Sequence, residues 1–266
     1  MSSTSLTVMT FNLRYASDEP PDSWPDRRPV VAECLRRVAP DVIGTQEGWA
    51  RQIQDITTDR PAYAPVGRGR DADGTGETGT VLYVRDRLAV RAHGDFWLSD
   101  TPELPGSTSW GNTLPRMVTW VRFADLRLGH ELLVVNTHLD HESSLARVRG
   151  AELICSRVPL IAAGDDGQAV PVIITGDFNA VSGADPTYDV FLRAGYVDLR
   201  FAASERRGPE LDSFHGYRTP GTAGAHIDWI LARGAVTPLQ FALVDVQSGG
   251  QYPSDHFPLM STVQLY

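Results

Sequence analysis

The segment VIITGDFN, residues 172–179, begins as an apolar run and ends in a carboxylate and a carboxamide two residues apart, Asp177 and Asn179. Strand side chains alternate, so these two would leave the strand end on one face while Phe178 turns to the other. A turn made from Gly176, Asp177 and Asn179 explains the same residue types. The rest of the chain decides between them. VMTFN ends at Asn12, VIGTQE at Glu47, LLVVNTHLDH carries Asn136 and His138, HIDWI carries Asp228, and YPSDHFPL carries Asp255 and His256. Taken singly, each has a structural explanation as a turn residue, a cap or a hydrogen-bonded core group. Taken together, six strands bring hard oxygen ligands or imidazoles to one class of position. Carboxylate and carboxamide oxygens suit Mg²⁺ or Mn²⁺, and two imidazoles suit proton transfer and oxyanion stabilisation. A hard divalent ion beside two histidines is the chemistry of phosphate-ester hydrolysis.

The elements that must position these groups read from hydrophobic periodicity. Strands are predicted at LTVMTFNLRY, DVIGTQE, GTVLYVRD, LAVRAHGDFWL, RMVTWVRFADL, ELLVVNTHL, VPVIITGDFN, HIDWILAR, TPLQFALVDV and FPLMSTVQL. RRPVVAECLRRV is a helix stopped by Pro40. SSLARVRGAELICSRV is a helix capped by Ser143 or Ser144, with Leu145, Val148, Ala151, Cys155 and Val158 inward, and TYDVFLRAG is a short third helix. Helices interleaved with many strands imply two sheets packed face to face with helices outside. Residues 1–266 are expected to form a single domain, with the segment from Arg200 to Gly224 as an excursion over its surface.

Composition removes several function classes. The chain has 266 residues, 42% hydrophobic and 21% charged, and its apolar runs fall short of the roughly 18 residues of a membrane span. The start lacks a basic region ahead of its apolar residues, so a cytoplasmic location is expected. Cys34 and Cys155 fall on apolar helix positions, which speaks against a disulfide framework or a zinc cluster. All 24 basic residues are arginine, so a Schiff-base lysine and a phosphate-loop lysine are both excluded. A net charge of −9 disfavours binding nucleic acid by bulk electrostatics and leaves room only for a local basic groove. GTGETG, from Gly74 to Gly79, matches the dinucleotide pattern letter by letter, but it leads into the β-branched TVLYV instead of a helix and is expected to be a mobile loop.

The ordered set TFN, QE, NTHLDH, TGDFN, HIDWI and SDHFP resembles the endonuclease/exonuclease/phosphatase superfamily, whose fold is that of deoxyribonuclease I, from about Thr10 to Leu259. SWPDRR, GDFWLSDTPELPGS and LPRMVTW look like a bacterial branch of it. The resemblance implies a four-layer α/β/β/α sandwich with the site at the sheet ends, and Mg²⁺ or Mn²⁺ as cofactor. It implies Glu47 as principal metal ligand with Asn12 and Asp255 in or near the metal shell. Asp177 and Asn179 would position the attacking water and the scissile phosphate, His256 polarised by Asp228 would handle protons, and His138 would donate to a phosphate oxygen. Whether Asp177 or the His256–Asp228 pair takes the water proton stays open. Arg116 is a candidate phosphate contact, with a salt bridge as the equal alternative, and Asn136 and Arg14 are further substrate-side candidates. Trp24, Trp97 and Trp110 could stack on a substrate ring, although packing is the default for tryptophan. His226 stands where relatives often carry a basic residue. The expected substrate is a phosphodiester or phosphomonoester of a small, sugar, inositol or lipid-headgroup compound. DNA or RNA is the alternative, and a catalytically silent scaffold the third reading.

Overall fold

The computed structural model describes residues 5–164 and 169–266. In chain order its elements are β1 (Ser5–Asn12), α1 (Trp24–Val38), β2 (Val42–Gln46), α2 (Ala50–Asp59), β3 (Tyr63–Val66), β4 (Val81–Val84), β5 (Leu88–Trp97), β6 (Met117–Asp125), β7 (Glu131–His138), α3 (Ser144–Ala162), β8 (Val172–Asp177), α4 (Pro186–Arg193), β9 (Val197–Asp198), α5 (Leu199–Ala202), β10 (Glu205–Arg207), β11 (Asp228–Arg233), β12 (Val236–Leu243) and β13 (Leu259–Leu265). One sheet has the order β10-β12-β13-β1-β2-β4-β3, the other β5-β6-β7-β8-β11-β9.

Period-two alternation splits the apolar residues into three layers. Leu6, Val8 and Val42 of the first sheet meet Val134, Ile173 and Ile230 of the second in a core between the sheets. Met9, Phe11 and Ile43 turn outward onto Val31, Cys34 and Leu35 of α1 and Ile53 of α2. Val135, Ile174 and Leu231 turn outward onto Ala151, Ile154 and Val158 of α3 and Phe191 of α4. The result is the four-layer α/β/β/α sandwich of the deoxyribonuclease I type. No helix among the described residues is long and apolar enough to cross a membrane.

Local signals account for the helix ends. Ser23 Oγ accepts from Asp26 N, Pro25 occupies the first turn of α1, and Ala39 ends it in the left-handed region (φ 45°) ahead of Pro40. Ser143 caps α3. The face of α3 is rotated from the expected one: Leu145 is exposed and Val148 and Cys155 are half-buried, while Ala146, Gly150 and Ile154 point inward. Small residues win because a Cβ on Gly150 would lie 3.3 Å from Leu98 Cδ1, so the helix comes too close to the sheet for leucine there. Helix α2 has no signature in the sequence, because it presents only Ile53 and Ile56 as apolar residues to the core, too few positions for a periodic signal. The excursion from Arg200 to Gly224 holds the end of α5 and the short β10.

The inner face of each central strand runs from apolar to polar in one direction: Val8, Thr10, Asn12; Val134, Asn136, His138; Ile173, Thr175, Asp177. β7 is parallel to β8 and aligns His138 with Asp177, while antiparallel β11 aligns Asp228 with the same Asp177. Strand pairing alone therefore puts three ionisable groups side by side.

Candidate active site

Phe178 shows why the end of β8 is rigid. Its ring stacks on Trp229 (centroids 4.1 Å, 14°) and meets Phe191 edge-on at 5.4 Å on the helix side of the sheet. With Phe178 locked, the flanking Asp177 and Asn179 are forced toward the other face. Asp177 Oδ1 accepts from Asn179 N at 2.9 Å, and Asn179 adopts φ 48°. The turn and the shared face are thus both made by the same residues. Arg14 (φ 53°) and Glu47 (φ 59°) are also held in the left-handed region, and all three line the same cleft, where such backbone is maintained by its surroundings.

The cleft has a volume of about 490 Å³ and opens at the polar ends of the strands. At its floor Asn12 Nδ2 donates to Glu47 Oε1 and to Asp177 Oδ2, both at 2.9 Å, and lies 3.4 Å from His256 Nε2. One amide on β1 thus fixes the spacing of two carboxylates from β2 and β8. Asn12 Oδ1 is turned away and accepts from Arg14 N at 2.9 Å. Asp228 Oδ2 binds His256 Nδ1 at 2.9 Å and accepts from Ser213 Oγ at 2.7 Å, which forms the expected His256–Asp228 dyad. His256 Nε2 then faces Asp177 Oδ2 at 3.8 Å. Asn179 Nδ2 donates to Leu139 O and contacts His138 Nε2, both at 3.0 Å. With the amide so oriented, that imidazole nitrogen is the acceptor, and donation to a phosphate oxygen from it requires Asn179 to give way.

Burial shapes the charges. It pushes the Asp177 carboxyl up, reinforced by the nearby Asp228. Burial also holds His138 well below the usual imidazole range, helped by Arg116 and Arg70. For His256 burial acts in the same downward direction, but Asp228, with Asp177 and Asp255 behind it, wins and raises the imidazole above its ordinary value. The surroundings therefore pull the two imidazoles in opposite directions, His256 toward holding its proton and His138 toward losing it.

The residues fit a hard divalent cation. Glu47, His138 and Asp177 each offer a ligand atom, all within 4.8 Å of one another. Two carboxylates crowded around one amide in a buried space are what such an ion offsets.

Several expectations are corrected. Asn136 does not reach the cleft: fully buried, it accepts from Gln46 Nε2 (2.7 Å) and Thr175 Oγ1 (3.1 Å) and donates to Thr45 O (2.7 Å), so it ties the two sheets together instead of touching substrate. Asp255 is countered by Arg14 Nη1 at 2.7 Å and stands outside the group of candidate ligand atoms around Glu47. Arg14 lines the cleft in that pairing. Arg116 lines it too, 4% exposed, with Nη2 on His141 Nδ1 at 2.9 Å and Nε 3.6 Å from Asp140 Oδ2. Trp24, Trp97 and Trp110 are absent from the cleft wall, whose aromatic rim is Tyr15 and Phe214, the latter 4.9 Å from the His256 ring. His226 packs near Phe241 and donates from Nε2 to Leu211 O, away from the cleft. Arg27 is fully buried and donates to the carbonyls of Leu13, Tyr15 and Pro253, which clamps the loops carrying Arg14 and Asp255 to α1. Arg70, Glu77, Leu114 and Phe214 also line the cleft from loops whose sequence carries no periodicity, and Ile227 lines it just ahead of β11.

The sequence profile of the endonuclease/exonuclease/phosphatase family matches residues 9–256. The chain belongs to the endonuclease/exonuclease/phosphatase family. A family member from Bacteroides thetaiotaomicron is 31% identical, with a TM-score of 0.89 over 97% of this chain and 94% of that one. The mannosyl-6-phosphatase Bt3783 of the same organism is 30% identical, with a TM-score of 0.88 over 97% and 99% of the two chains. An uncharacterized protein of Acanthamoeba polyphaga mimivirus is 28% identical over 119 residues, and that match spans only 17% of its length. Members of the endonuclease/exonuclease/phosphatase family are divalent-metal-dependent phosphoester hydrolases, which agrees with the donor set on the cleft floor.

Proposed function

We propose that the protein is a Mg²⁺- or Mn²⁺-dependent phosphoesterase that hydrolyses a phosphodiester or phosphomonoester of a small, sugar, inositol or lipid-headgroup compound by attack of an activated water. The observation that carries this reading is the convergence of Glu47, His138, Asp177, Asn179 and His256 on one cleft from both sheets, with buried Asn12 and Asp228 bonded to Asp177 and His256 behind them. The likeness to a mannosyl-6-phosphatase along nearly its whole length supports a sugar phosphate as substrate. The net charge of −9 stands against the nuclease reading, and the intact polar set stands against a silent scaffold.

Glu47 would hold the ion, with Asp177 and Asn12 bounding its position. When bound, the ion supplies positive charge to phosphate oxygens as charge develops on them. Asn179 holds Asp177 through its backbone N–H and borders the space where the phosphate lies. The proton released by the attacking water goes to Asp177 or to the His256–Asp228 pair, the two groups that face each other at the cleft floor. Asp228 fixes the His256 ring through Nδ1, so that Nε2 is the atom facing the reaction. Arg14 and Arg116 face the cleft as positive groups for the substrate.

The test is the Mg²⁺-dependent rate on 4-nitrophenyl phosphate and bis(4-nitrophenyl) phosphate, with Asp177→Ala as control. Turnover of either ester that disappears in the variant supports the reading. Equal rates with and without Asp177 would remove it. Hydrolysis of DNA with an affinity that falls steeply in salt would transfer the chemistry to the nuclease alternative.

A further inference from the structure

The Gly-rich segment 67–80, which its sequence context separates from cofactor loops, is tied down next to β2. Thr78 N and Oγ1 both donate to Gly48 O (2.7 and 2.8 Å), Arg70 N donates to Glu77 O (3.0 Å), and Trp97 Nε1 donates to Arg70 O (2.7 Å). Gly76 adopts φ 79°, and a Cβ there would lie 2.4 Å from Asp71 Oδ2, so the tight return of the chain requires glycine. The expected mobile loop is a hydrogen-bonded hairpin. Its two arms present Arg70 and Glu77 to the cleft as an ion pair of 2.5 Å, with only 13% and 20% of the side chains exposed.

Arg70 and Glu77 also border a crevice of about 20 Å³ that runs from the cleft between Glu47, Arg116 and His138. Arg116 enters from the opposite wall, 4% exposed, and its Nη1 has no hydrogen-bond partner among the described residues. Among the described residues, Glu77 engages Arg70 through Nη1 alone, which leaves Nε and Nη2 of Arg70 for another acceptor. Both arginines also line the main cleft, and two guanidiniums that repel each other there, each with N–H groups unspent, are arranged for the oxygens of an anion lying in the cleft.

We infer that Arg70 and Arg116 form a two-guanidinium subsite beside His138 that recognises the second negative charge of a phosphomonoester, with Glu77 holding Arg70 in position. The inference rests on the phosphoesterase reading and narrows it to monoesters. A monoester above its second pKa of about 6 carries close to two charges on three outer oxygens. A diester carries one charge on two, and its additional ester oxygen offers the guanidiniums a poor acceptor. Glu77 is a positioning residue: it neutralises and orients Arg70 and does not touch the phosphate.

The test compares wild type, Arg70→Gln and Glu77→Gln on 4-nitrophenyl phosphate and bis(4-nitrophenyl) phosphate at pH 8, and measures binding of inorganic phosphate to each protein by calorimetry. Arg70→Gln is expected to lower kcat/KM on the monoester about tenfold or more, to change the diester rate less than about threefold, and to weaken phosphate binding about tenfold. Glu77→Gln is expected to raise KM for the monoester with kcat nearly kept. Equal losses on both esters, or phosphate binding unchanged in Arg70→Gln, would overturn the subsite while leaving the phosphoesterase reading standing. Absence of metal-dependent turnover by wild type on either ester would instead remove that reading, and phosphate binding would still decide whether the subsite exists.

Discussion

Asp177 accepts from Asn12 and from Asn179 N and faces both imidazoles, so nearly every interaction on the cleft floor passes through it. Replacing Asp177 or His256 by alanine should lower metal-dependent kcat/KM about 10²- to 10⁴-fold, with the far-ultraviolet circular dichroism unchanged. Retained turnover in either folded variant would refute the proton-handling pair. Glu47 has a different role, and Glu47→Gln keeps the bond from Asn12 while removing charge. Its main effect should be weaker Mg²⁺ binding in titration calorimetry, and unchanged affinity would contradict its place as principal ligand. At this scale the sequence is informative where a residue ends a strand and misleading one step deeper. His138 and Asn136 share a strand face, yet two residues of depth separate a cleft group from an inter-sheet strut. Alternation gives the face of a side chain but not where the facing sheet closes over it.

The strands deliver the site because their inner faces change from apolar to polar at a common level. Thr10, Gln46, Asn136 and Thr175 form a hydrogen-bonded layer between the apolar core and the cleft, with Gln46 Nε2 bonded to both Asn136 Oδ1 and Thr10 Oγ1. Gly44 of β2 makes that layer possible: a Cβ there would lie 1.9 Å from Thr175 Oγ1 and 2.5 Å from Asn136 Oδ1. Gly44→Ala should therefore force the sheets apart and destabilise the fold by about 1–3 kcal/mol, measured as a lower urea midpoint at unchanged slope. A variant as stable as wild type would mean that the sheets are more loosely coupled than the bonds indicate. Most strands were legible from alternation, and the helices of strong period were too. The short β3, β9, α5 and β10 carry too few residues for a periodic signal, and α2 and the hairpin 67–80 are fixed by contacts distant in sequence: Ile53 and Ile56 against the first sheet, Thr78 against Gly48, and Trp97 against Arg70. A local window contains none of those partners.

Across the whole molecule, buried histidines couple the fold to pH. Burial lowers His226 to about 4, with Arg200 adding to it, and burial likewise lowers His215 to about 4. In the unfolded chain both titrate near 6.5. Between these values the unfolded state binds more protons, so stability is full above about pH 6.5 and declines as the pH falls toward 4. His226 is 3% exposed and its Nδ1 has no hydrogen-bond partner among the described residues, so a proton there would be poorly accommodated. His226→Gln should flatten this acid decline by on the order of 2–3 kcal/mol between pH 7 and 4, read from urea unfolding at each pH. An acid limb identical to that of wild type would show that His226 titrates normally in the fold.

The cleft lies at one end of the sandwich, and the turn between β6 and β7 lies at the other. β6 runs away from the cleft, turns over residues 126–130, and β7 returns to it, so the turn stands one strand length away, about 26 Å. Leu126 there is 58% exposed, and around Gly129 (φ 74°) a side chain would meet nothing within 4 Å. That turn is accordingly the place for a fluorophore, an affinity handle or a surface tether, since cargo attached there hangs from the rear of the molecule and leaves the mouth of the cleft open to substrate.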